Sequence, residues 1–306
     1  MLLQEQNFGV EIELTWITRI KAAKTISEYF GTISRYVGTG YDTYAAEDRK
    51  GRTWKAMSDG SIHATRKVNG QQVPADSKYR CEIVTPILQY EDIEDLQNVI
   101  RALVKKGAVV NSSCGIHIHV DGANHTPNSL TRLLNFAIGR QDLFYEALQI
   151  EGRENRWCHK ISRSLFKAMK NDTEKTRHSM ESVWYSPAND DYRGGISHEH
   201  YNATRYHGIN LHAFFTKGTV EFRLFNGTTH AGKIKAYIQF CLAMSAWAIN
   251  ADDKMYFRSC KSYTSEQKKA LMTRVLVRRL GMAGPEFRSA RLHLTSAFNV
   301  ATSEVA

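Results

Sequence analysis

Residues 8–16, FGVEIELTW, form the stretch of sequence that decides the fold, because apolar and polar side chains alternate along it. Side chains two positions apart project from the same face of a β-strand, so this period predicts a strand with one buried apolar face. Glu11 and Glu13 lie together on the other face. Two neighbouring carboxylates make that face the first candidate for a functional site.

Three more segments show the same alternation, at residues 80–84, 115–121 and 219–225. Their polar positions carry acidic, imidazole and guanidinium groups: Glu82, His117, His119, Asp121, Glu221 and Arg223. A solvated outer face is the ordinary explanation for such alternation in an antiparallel sheet. The recurrence of carboxylates and histidines in four strands favours a common site instead.

The chemistry of this face predicts a metal site. Neighbouring positions on one face of a sheet lie about 5–7 Å apart, so carboxylates from paired strands would repel one another. Protons or cations must then neutralise them, and oxygen ligands with an imidazole suit Mg²⁺ or Mn²⁺.

The rest of the chain predicts an α+β fold with a mainly antiparallel sheet. Hydrophobic spacing predicts helices at residues 19–30, 92–106, 129–149, 233–250 and 264–280. Two further strands are predicted at residues 54–58 and 208–214, and the remainder of residues 31–77 is expected to form loops. Hairpin-like connections are as frequent as crossovers, which favours this arrangement over a doubly wound parallel sheet.

The domain organisation is predicted to be simple. Residues 1–250 are expected to form one catalytic domain with a polar insertion around residues 151–200, and residues 251–306 a C-terminal helical extension of the same domain. A chain of 306 residues buries enough surface to fold without disulfides or structural metals.

Composition limits the cellular setting and the class of partner. The net charge of +10 favours an anionic partner such as nucleic acid, a phosphorylated cofactor or an acidic polymer, or it serves solubility alone. The sequence contains no apolar run of the about 20 residues that cross a bilayer. Its start lacks a signal-peptide pattern, and its five cysteines form no CxxC pair, so a cytoplasmic protein with free thiols is expected.

Phosphate-binding loops of the usual kinds are missing from the sequence. No Walker A motif occurs, and Gly38 and Gly40 are not followed by the third glycine of a dinucleotide loop. Their absence fits a site in which any bound phosphate is held by metal ions and arginines instead.

Five short motifs occur in the order found in the amidoligase family: FGVEIEL at 8–14, SDGS at 58–61, EIVTP at 82–86, CGIHIHVD at 114–121 and TVEFR at 219–223. Together they resemble that family, a distant relative of glutamine synthetase and glutamate–cysteine ligase. The resemblance covers residues 8–250.

The resemblance implies a glutamine synthetase-like fold, in which a curved sheet binds ATP and Mg²⁺ on its concave face and packs helices on its convex face. It implies an ATP- and Mg²⁺-dependent ligase that joins a carboxylate to an amine through an acyl phosphate, giving an amide or isopeptide bond. The expected partners are small-molecule or peptide carboxylates and amines, with neither nucleic acid nor a membrane among them. The oligomeric state is left open.

The resemblance also assigns roles to individual residues. The implied metal ligands are Glu11, Glu13, Glu82, His117, His119 and Glu221. The implied catalytic residues are Arg223, Glu221 and Arg205. The implied nucleotide-binding residues are Glu11, Glu13, His119, Arg223, Asp59 and Ser61. Asn210 is expected to orient substrate, although Asp59 and Ser61 also fit a plain turn, and Arg205 and Asn210 fit surface positions.

Three alternative hypotheses remain. The segment HIHVD at residues 117–121 resembles the start of the HxHxDH signature of metal-dependent hydrolases, with Gly122 in place of the last histidine. The basic helix at residues 264–280 is compatible with a nucleic-acid-binding module. A kinase on the same scaffold would phosphorylate its substrate without joining it to an amine.

Overall fold

The computed structural model describes residues 1–251 and 262–299. Within them the chain forms strands and helices in the order β1 (Phe8–Leu14), α1 (Arg19–Phe30), β2 (Ser34–Gly38), β3 (Thr43–Glu47), β4 (Thr53–Met57), β5 (Thr65–Val68), β6 (Gln71–Pro74), β7 (Cys81–Val84), α2 (Ile93–Lys105), β8 (Gly115–Asp121), α3 (Pro127–Ile138), α4 (Gln141–Ala147), α5 (Glu151–Glu154), α6 (Arg163–Asn171), α7 (Arg177–Trp184), β9 (Ile209–Asn210), α8 (His212–Lys217), β10 (Thr219–Asn226), α9 (Ala231–Asn250), α10 (Ser265–Arg274) and α11 (Arg288–Thr295).

The chain divides into two compact units. The N-terminal unit contains residues 4–119 and 225–235. The C-terminal unit contains residues 1–3, 120–224 and the described part of residues 236–306.

A large sheet forms the centre of the N-terminal unit. Its strands follow the order β2-β3-β4-β7-β1-β8, and the pairs from β2 to β1 are antiparallel. In the pairing of β1 with β7, Glu13 lies opposite Glu82 and Ile12 lies opposite Ile83. The mixed fold with an antiparallel sheet agrees with the prediction. The register also places the carboxylates of Glu13 and Glu82 directly opposite each other.

The apolar faces of these strands pack against α1, and α1 packs against α2. Helix α1 begins where the side chain of Thr18 accepts a hydrogen bond from the Lys21 amide, and it ends at Gly31, whose φ of 72° favours glycine. Trp54 is almost fully buried and contacts Phe30, with ring centroids 5.6 Å apart. Burying aromatic side chains of this size stabilises the unit by about 2–3 kcal/mol each.

The prediction of loops across residues 31–77 is wrong, apart from the short strand that corresponds to β4. Strand β2 is mostly exposed, so it shows no alternation of apolar residues. Strands β5 and β6 form a separate hairpin around Asn69 and Gly70, whose φ angles are 48° and 84°. An Asn-Gly pair is a strong hairpin signal, and it was available in the sequence.

Helix packing dominates the C-terminal unit. Residues 129–149 were predicted as one helix, but the chain breaks at Gly139 and Arg140 into α3 and α4. The break lets both segments bury aromatic rings against α9: Phe136 packs on Trp247 at 4.5 Å and Phe144 on Phe240 at 5.2 Å between ring centroids. Helix α9 is the apolar helix that the sequence predicts at residues 233–250.

The predicted strand at residues 208–214 is also largely wrong, since β9 contains only Ile209 and Asn210 and is followed by α8. The Asn210 side-chain oxygen accepts a hydrogen bond from the backbone amide of His212 at 2.8 Å. This local bond turns the chain from an extended conformation into a helix. The helix predicted at residues 264–280 is α10, continued by a wider helical turn over Val275–Arg279.

The structure bears on two predictions about the cellular setting. Every helix in the described ranges is too short or too polar to cross a bilayer. Cys81, Cys114, Cys158 and Cys241 are buried free thiols, as expected, whereas Cys260 lies outside the described residues.

Candidate active site

Five predicted site residues come together in the N-terminal unit: Glu11, Glu13, Glu82, His117 and His119. We call this group the carboxylate–imidazole cluster. Strand β1 contributes two carboxylates, β7 contributes one, and β8 contributes both imidazoles. The alternation of each strand places its chemically active residues on one side of the sheet.

Ligand atoms of Glu13, Glu82 and His117 all lie within 4.8 Å of one another, and all three residues are buried. The antiparallel register explains this closeness, because Glu13 and Glu82 are directly opposed. The backbone amide of Gly115 donates a hydrogen bond to Glu13 Oε2 at 2.6 Å, which fixes that carboxylate. Two carboxylates and one imidazole thus face a common point.

Glu11 lies between the two imidazoles. Its Oε2 is 3.1 Å from His117 Nδ1 and its Oε1 is 3.2 Å from His119 Nε2. Burial alone would raise the pKa of Glu11, but the charges and hydrogen bonds of His119 and His117 outweigh it and hold that pKa well below its usual range. Glu11 is therefore an ionised carboxylate at neutral pH.

The cluster has the chemistry of a divalent cation site. Carboxylate oxygens with one or two imidazole nitrogens suit Mg²⁺ or Mn²⁺, and no thiol takes part. A buried cation would offset the repulsion between the opposed carboxylates of Glu13 and Glu82. These residues fit a metal ion, and Glu13, Glu82 and His117 are the three whose ligand atoms converge.

A second group of predicted residues comes together in the C-terminal unit. Glu221 of β10 lies opposite Asn210 of β9, and Asn210 Nδ2 donates to Glu221 Oε2 at 2.5 Å. Arg223 Nη1 donates to Glu221 Oε1 at 2.6 Å, while Arg223 Nε donates to the Trp157 carbonyl at 3.3 Å. These two bonds orient both carboxylate oxygens of Glu221.

Glu221 and Asn210 also line a cavity of about 200 Å³ in the same unit. Arg205 contributes a guanidinium to its wall and donates from Nη1 to the His200 carbonyl at 2.7 Å. His212 lies in the wall as well, and burial lowers its pKa to about 4, so that its imidazole is neutral at pH 7. The wall of this small cavity thus contains a guanidinium, a neutral imidazole and the Glu221 carboxylate.

Comparison with known families bears on the identity of the chain. A family model described as "Putative amidoligase enzyme" matches residues 4–245. The chain belongs to the amidoligase family. The match includes every residue of the carboxylate–imidazole cluster and also Glu221 and Arg223. No curated protein sequence matches the chain.

Two predicted residues of this amidoligase lie in a turn. The Ser61 amide donates to Asp59 Oδ1 at 2.6 Å, which is the local bond of an Asx turn. The turn accounts for their residue types, and their role in nucleotide binding stays a prediction. Asp121 similarly accepts a hydrogen bond from the Ala123 amide at 2.9 Å.

Gly122 bears on the alternative of a metal-dependent hydrolase. A Cβ atom at this position would lie 2.5 Å from the Gly218 carbonyl oxygen and 2.7 Å from the Phe214 ring. The amidoligase therefore has no space for the histidine that would complete the HxHxDH signature. His117 and His119 instead face Glu11, which lies outside that signature.

Two polar pairs of the amidoligase carry no signal in the sequence. The Tyr185 hydroxyl lies 2.5 Å from His212 Nδ1, and His159 Nδ1 lies 2.7 Å from Asp191 Oδ2. Each pair joins residues more than 20 positions apart within a region without strand periodicity. Only the fold brings these side chains together, so no local pattern predicts them.

Proposed function

We propose that this amidoligase is an ATP- and Mg²⁺-dependent ligase that joins a carboxylate to an amine through an acyl phosphate. Family membership supports ligase activity. The observation that carries the proposal is the convergence of Glu13, Glu82 and His117, because a buried set of this kind suits the cation that accompanies a nucleotide triphosphate.

In this proposal the carboxylate–imidazole cluster binds the divalent ion. Glu13, Glu82 and His117 hold the ion. Glu11 adds a further carboxylate and His119 a further imidazole beside them. The ion, when bound, neutralises phosphate oxygens of the nucleotide. The sheet that carries these residues would correspond to the catalytic sheet of a glutamine synthetase-like fold, with nucleotide at Asp59 and Ser61.

The residues of the C-terminal unit would act on the substrates. Arg223 supplies a guanidinium for oxygens of the transferring phosphoryl group, and its bond to Glu221 keeps it oriented. Glu221 is a further ligand or positioning carboxylate, which Asn210 holds in place. Arg205 lines the cavity and would bind an anionic group of a substrate. We propose that both groups of residues serve one reaction.

The proposed reaction has two steps. A carboxylate oxygen of the donor attacks the γ-phosphorus of ATP, and ADP leaves with the electron pair of the broken P–O bond. The amine nitrogen then attacks the acyl carbon, phosphate leaves with the electron pair of the C–O bond, and the nitrogen gives up a proton. We propose residues 1–250 as the catalytic part, small-molecule or peptide substrates, and the cytoplasm as location, in keeping with the buried free thiols.

The decisive experiment incubates the purified protein with ATP, Mg²⁺ and pooled carboxylic acids and amines, followed by mass spectrometry. We expect ADP and a product whose mass equals donor plus acceptor minus water. ADP with a phosphorylated acid or alcohol and no condensation product would indicate the kinase alternative. Hydrolysis products without ATP consumption would indicate the hydrolase alternative.

Variants connect that activity to the cluster. Glu13→Gln and Glu82→Gln should each lower ATP turnover by about 100-fold or more, because each removes a charged ligand. Both should also weaken Mn²⁺ binding, measured by calorimetry. Glu91→Gln is the matched control, since Glu91 is 70% exposed and pairs with Lys50 at the surface. Unchanged turnover and Mn²⁺ affinity in the cluster variants would overturn the metal assignment.

A further inference from the structure

The proposed reaction leaves one polar network of the C-terminal unit without a role. His159 Nδ1 lies 2.7 Å from Asp191 Oδ2. His207 Nε2 lies 3.5 Å from the same carboxylate oxygen and 2.9 Å from Asn189 Oδ1. This network joins two segments of the polar insertion around residues 151–200 to His207, which precedes β9.

Asp191 and its neighbours are held rigidly. The Asp191 amide donates to Asn189 Oδ1 at 3.1 Å, and Asn189 Nδ2 donates to the Trp184 carbonyl at 3.0 Å. Burial lowers the pKa of His207 to about 4, so His207 is neutral at pH 7 and does not neutralise Asp191. The carboxylate is thus free to polarise the imidazole of His159.

The bond to Asp191 selects one tautomer of His159. A carboxylate can only accept, so Nδ1 carries the proton and Nε2 keeps its lone pair. The His159 side chain is 30% exposed, whereas that of Asp191 is 10% exposed. Among the described residues, none forms a hydrogen bond with His159 Nε2. An oriented imidazole with an available nitrogen is the arrangement of a general base.

The position of His159 connects it to the proposed chemistry. The Arg223 amide donates to the Gly208 carbonyl at 2.9 Å, and the Gly208 amide donates to the His159 carbonyl at 2.9 Å. His159 and His207 also form a parallel β-bridge. Two such neighbouring segments place the His159 backbone about 10 Å from that of Arg223. In the described chain no hydroxyl or thiol forms a hydrogen bond with His159 Nε2, so this nitrogen does not activate a nucleophile of the protein itself.

We propose that His159 is the general base for the amine acceptor and that Asp191 is its positioning residue. The inference rests on the proposed ligase reaction and adds the residue that removes the proton. As the amine nitrogen forms its bond to the acyl carbon, His159 Nε2 takes one N–H proton and becomes imidazolium. Phosphate leaves with the C–O electron pair, and the imidazolium returns its proton to solvent.

The test compares two acceptors at a fixed donor pool. Hydroxylamine is uncharged at neutral pH and attacks acyl phosphates without a base, whereas methylamine must lose a proton. With ATP, Mg²⁺ and the pooled carboxylic acids, His159→Gln should lower methylamide formation by about 100-fold and hydroxamate formation by less than about threefold. Asp191→Asn should act in the same direction. His178→Gln, an exposed change in α7, is the control and should leave both products unchanged.

The comparison of the two acceptors separates catalysis from structure. A variant whose site is merely disturbed would lose hydroxamate and methylamide together, whereas loss of a general base lowers methylamide alone. Equal methylamide rates in His159→Gln and the unchanged protein would overturn the inference.

Failure of the inference and failure of the proposed function give different results. Hydroxamate from the unchanged protein, with no acceptor-dependent loss in His159→Gln, overturns the inference and leaves the ligase in place. Formation of neither product by the unchanged protein overturns the ligase proposal. Nitrogen NMR of labelled histidine tests the tautomer of His159 independently of activity. A proton on Nε2 rather than Nδ1 at pH 8 would overturn the assignment of His159 as a general base.

Discussion

Individual side-chain hydrogen bonds orient the buried charged groups of this amidoligase. Asn210 performs two tasks, because its Nδ2 donates to Glu221 Oε2 and its Oδ1 accepts from the His212 amide. The first bond orients a buried carboxylate, and the second begins α8. An amide suits this position because it offers both a donor and an acceptor.

Asn210→Asp is therefore expected to lower the free energy of unfolding by about 3 kcal/mol, because it removes a donor to a buried carboxylate and sets a second negative charge beside it. Urea unfolding at pH 7.5 measures the change. The matched control is Asn202→Asp, since Asn202 Oδ1 accepts hydrogen bonds from Thr204 and a carboxylate oxygen can accept the same bonds. Its stability should change by less than about 0.5 kcal/mol. Equal stability of the two variants would contradict the assigned role of Asn210.

Strands with one apolar and one polar face could be predicted from the sequence, and strands without that alternation could not. In β1, β7, β8 and β10 the apolar core imposes a period of two, so both the strands and their active faces could be identified. Strands β2, β5 and β6 are mostly exposed, so no apolar period marks them in the sequence. The same limit applies to the site, where His159 and Asp191 meet only in the folded chain.

The turn that follows β8 packs closely against the turn between α8 and β10, and this contact fixes its conformation. Gly122 donates its amide to the Gly218 carbonyl at 2.9 Å, at the point where α8 ends and β10 follows. A methyl group on Gly122 would lie 2.5 Å from the Gly218 carbonyl oxygen, and backbone must move to admit it. The two turns are thus packed against each other without space for a side chain.

Gly122→Ala should lower the free energy of unfolding by about 2–3 kcal/mol, because overpacking against backbone cannot be relieved by a rotamer change. Thermal and urea unfolding measure it. Gly284→Ala provides the comparison: Gly284 has a φ of −60° and space for a Cβ atom, so its stability should stay within about 0.5 kcal/mol. A Gly122→Ala variant as stable as Gly284→Ala would show that the turns separate easily.

Across the whole molecule, buried neutral histidines couple folding to pH. His125 lies between the hydroxyls of Ser129 and Ser245, at 3.0 and 2.8 Å. Burial lowers the pKa of His125, His207 and His212 to about 4 in each case, from an ordinary value of 6.5. The unfolded chain therefore binds more protons than the folded chain between these two pH values, and stability falls as pH falls through that window.

From pH 7 to pH 5, each of the three histidines should remove up to about 2 kcal/mol from the free energy of unfolding. Comparison with a variant that lacks one imidazole separates the histidine contribution from that of the carboxylates. Urea unfolding at half-unit intervals of pH measures the slope. His125→Gln should reduce the slope of the unfolding free energy against pH by up to the contribution of one proton, about 1.4 kcal/mol per pH unit. His178→Gln, at an exposed position, should leave that slope unchanged. Stability that is constant from pH 7 to pH 5 would mean that these imidazoles take up protons in the folded protein, and that their burial does not hold them neutral.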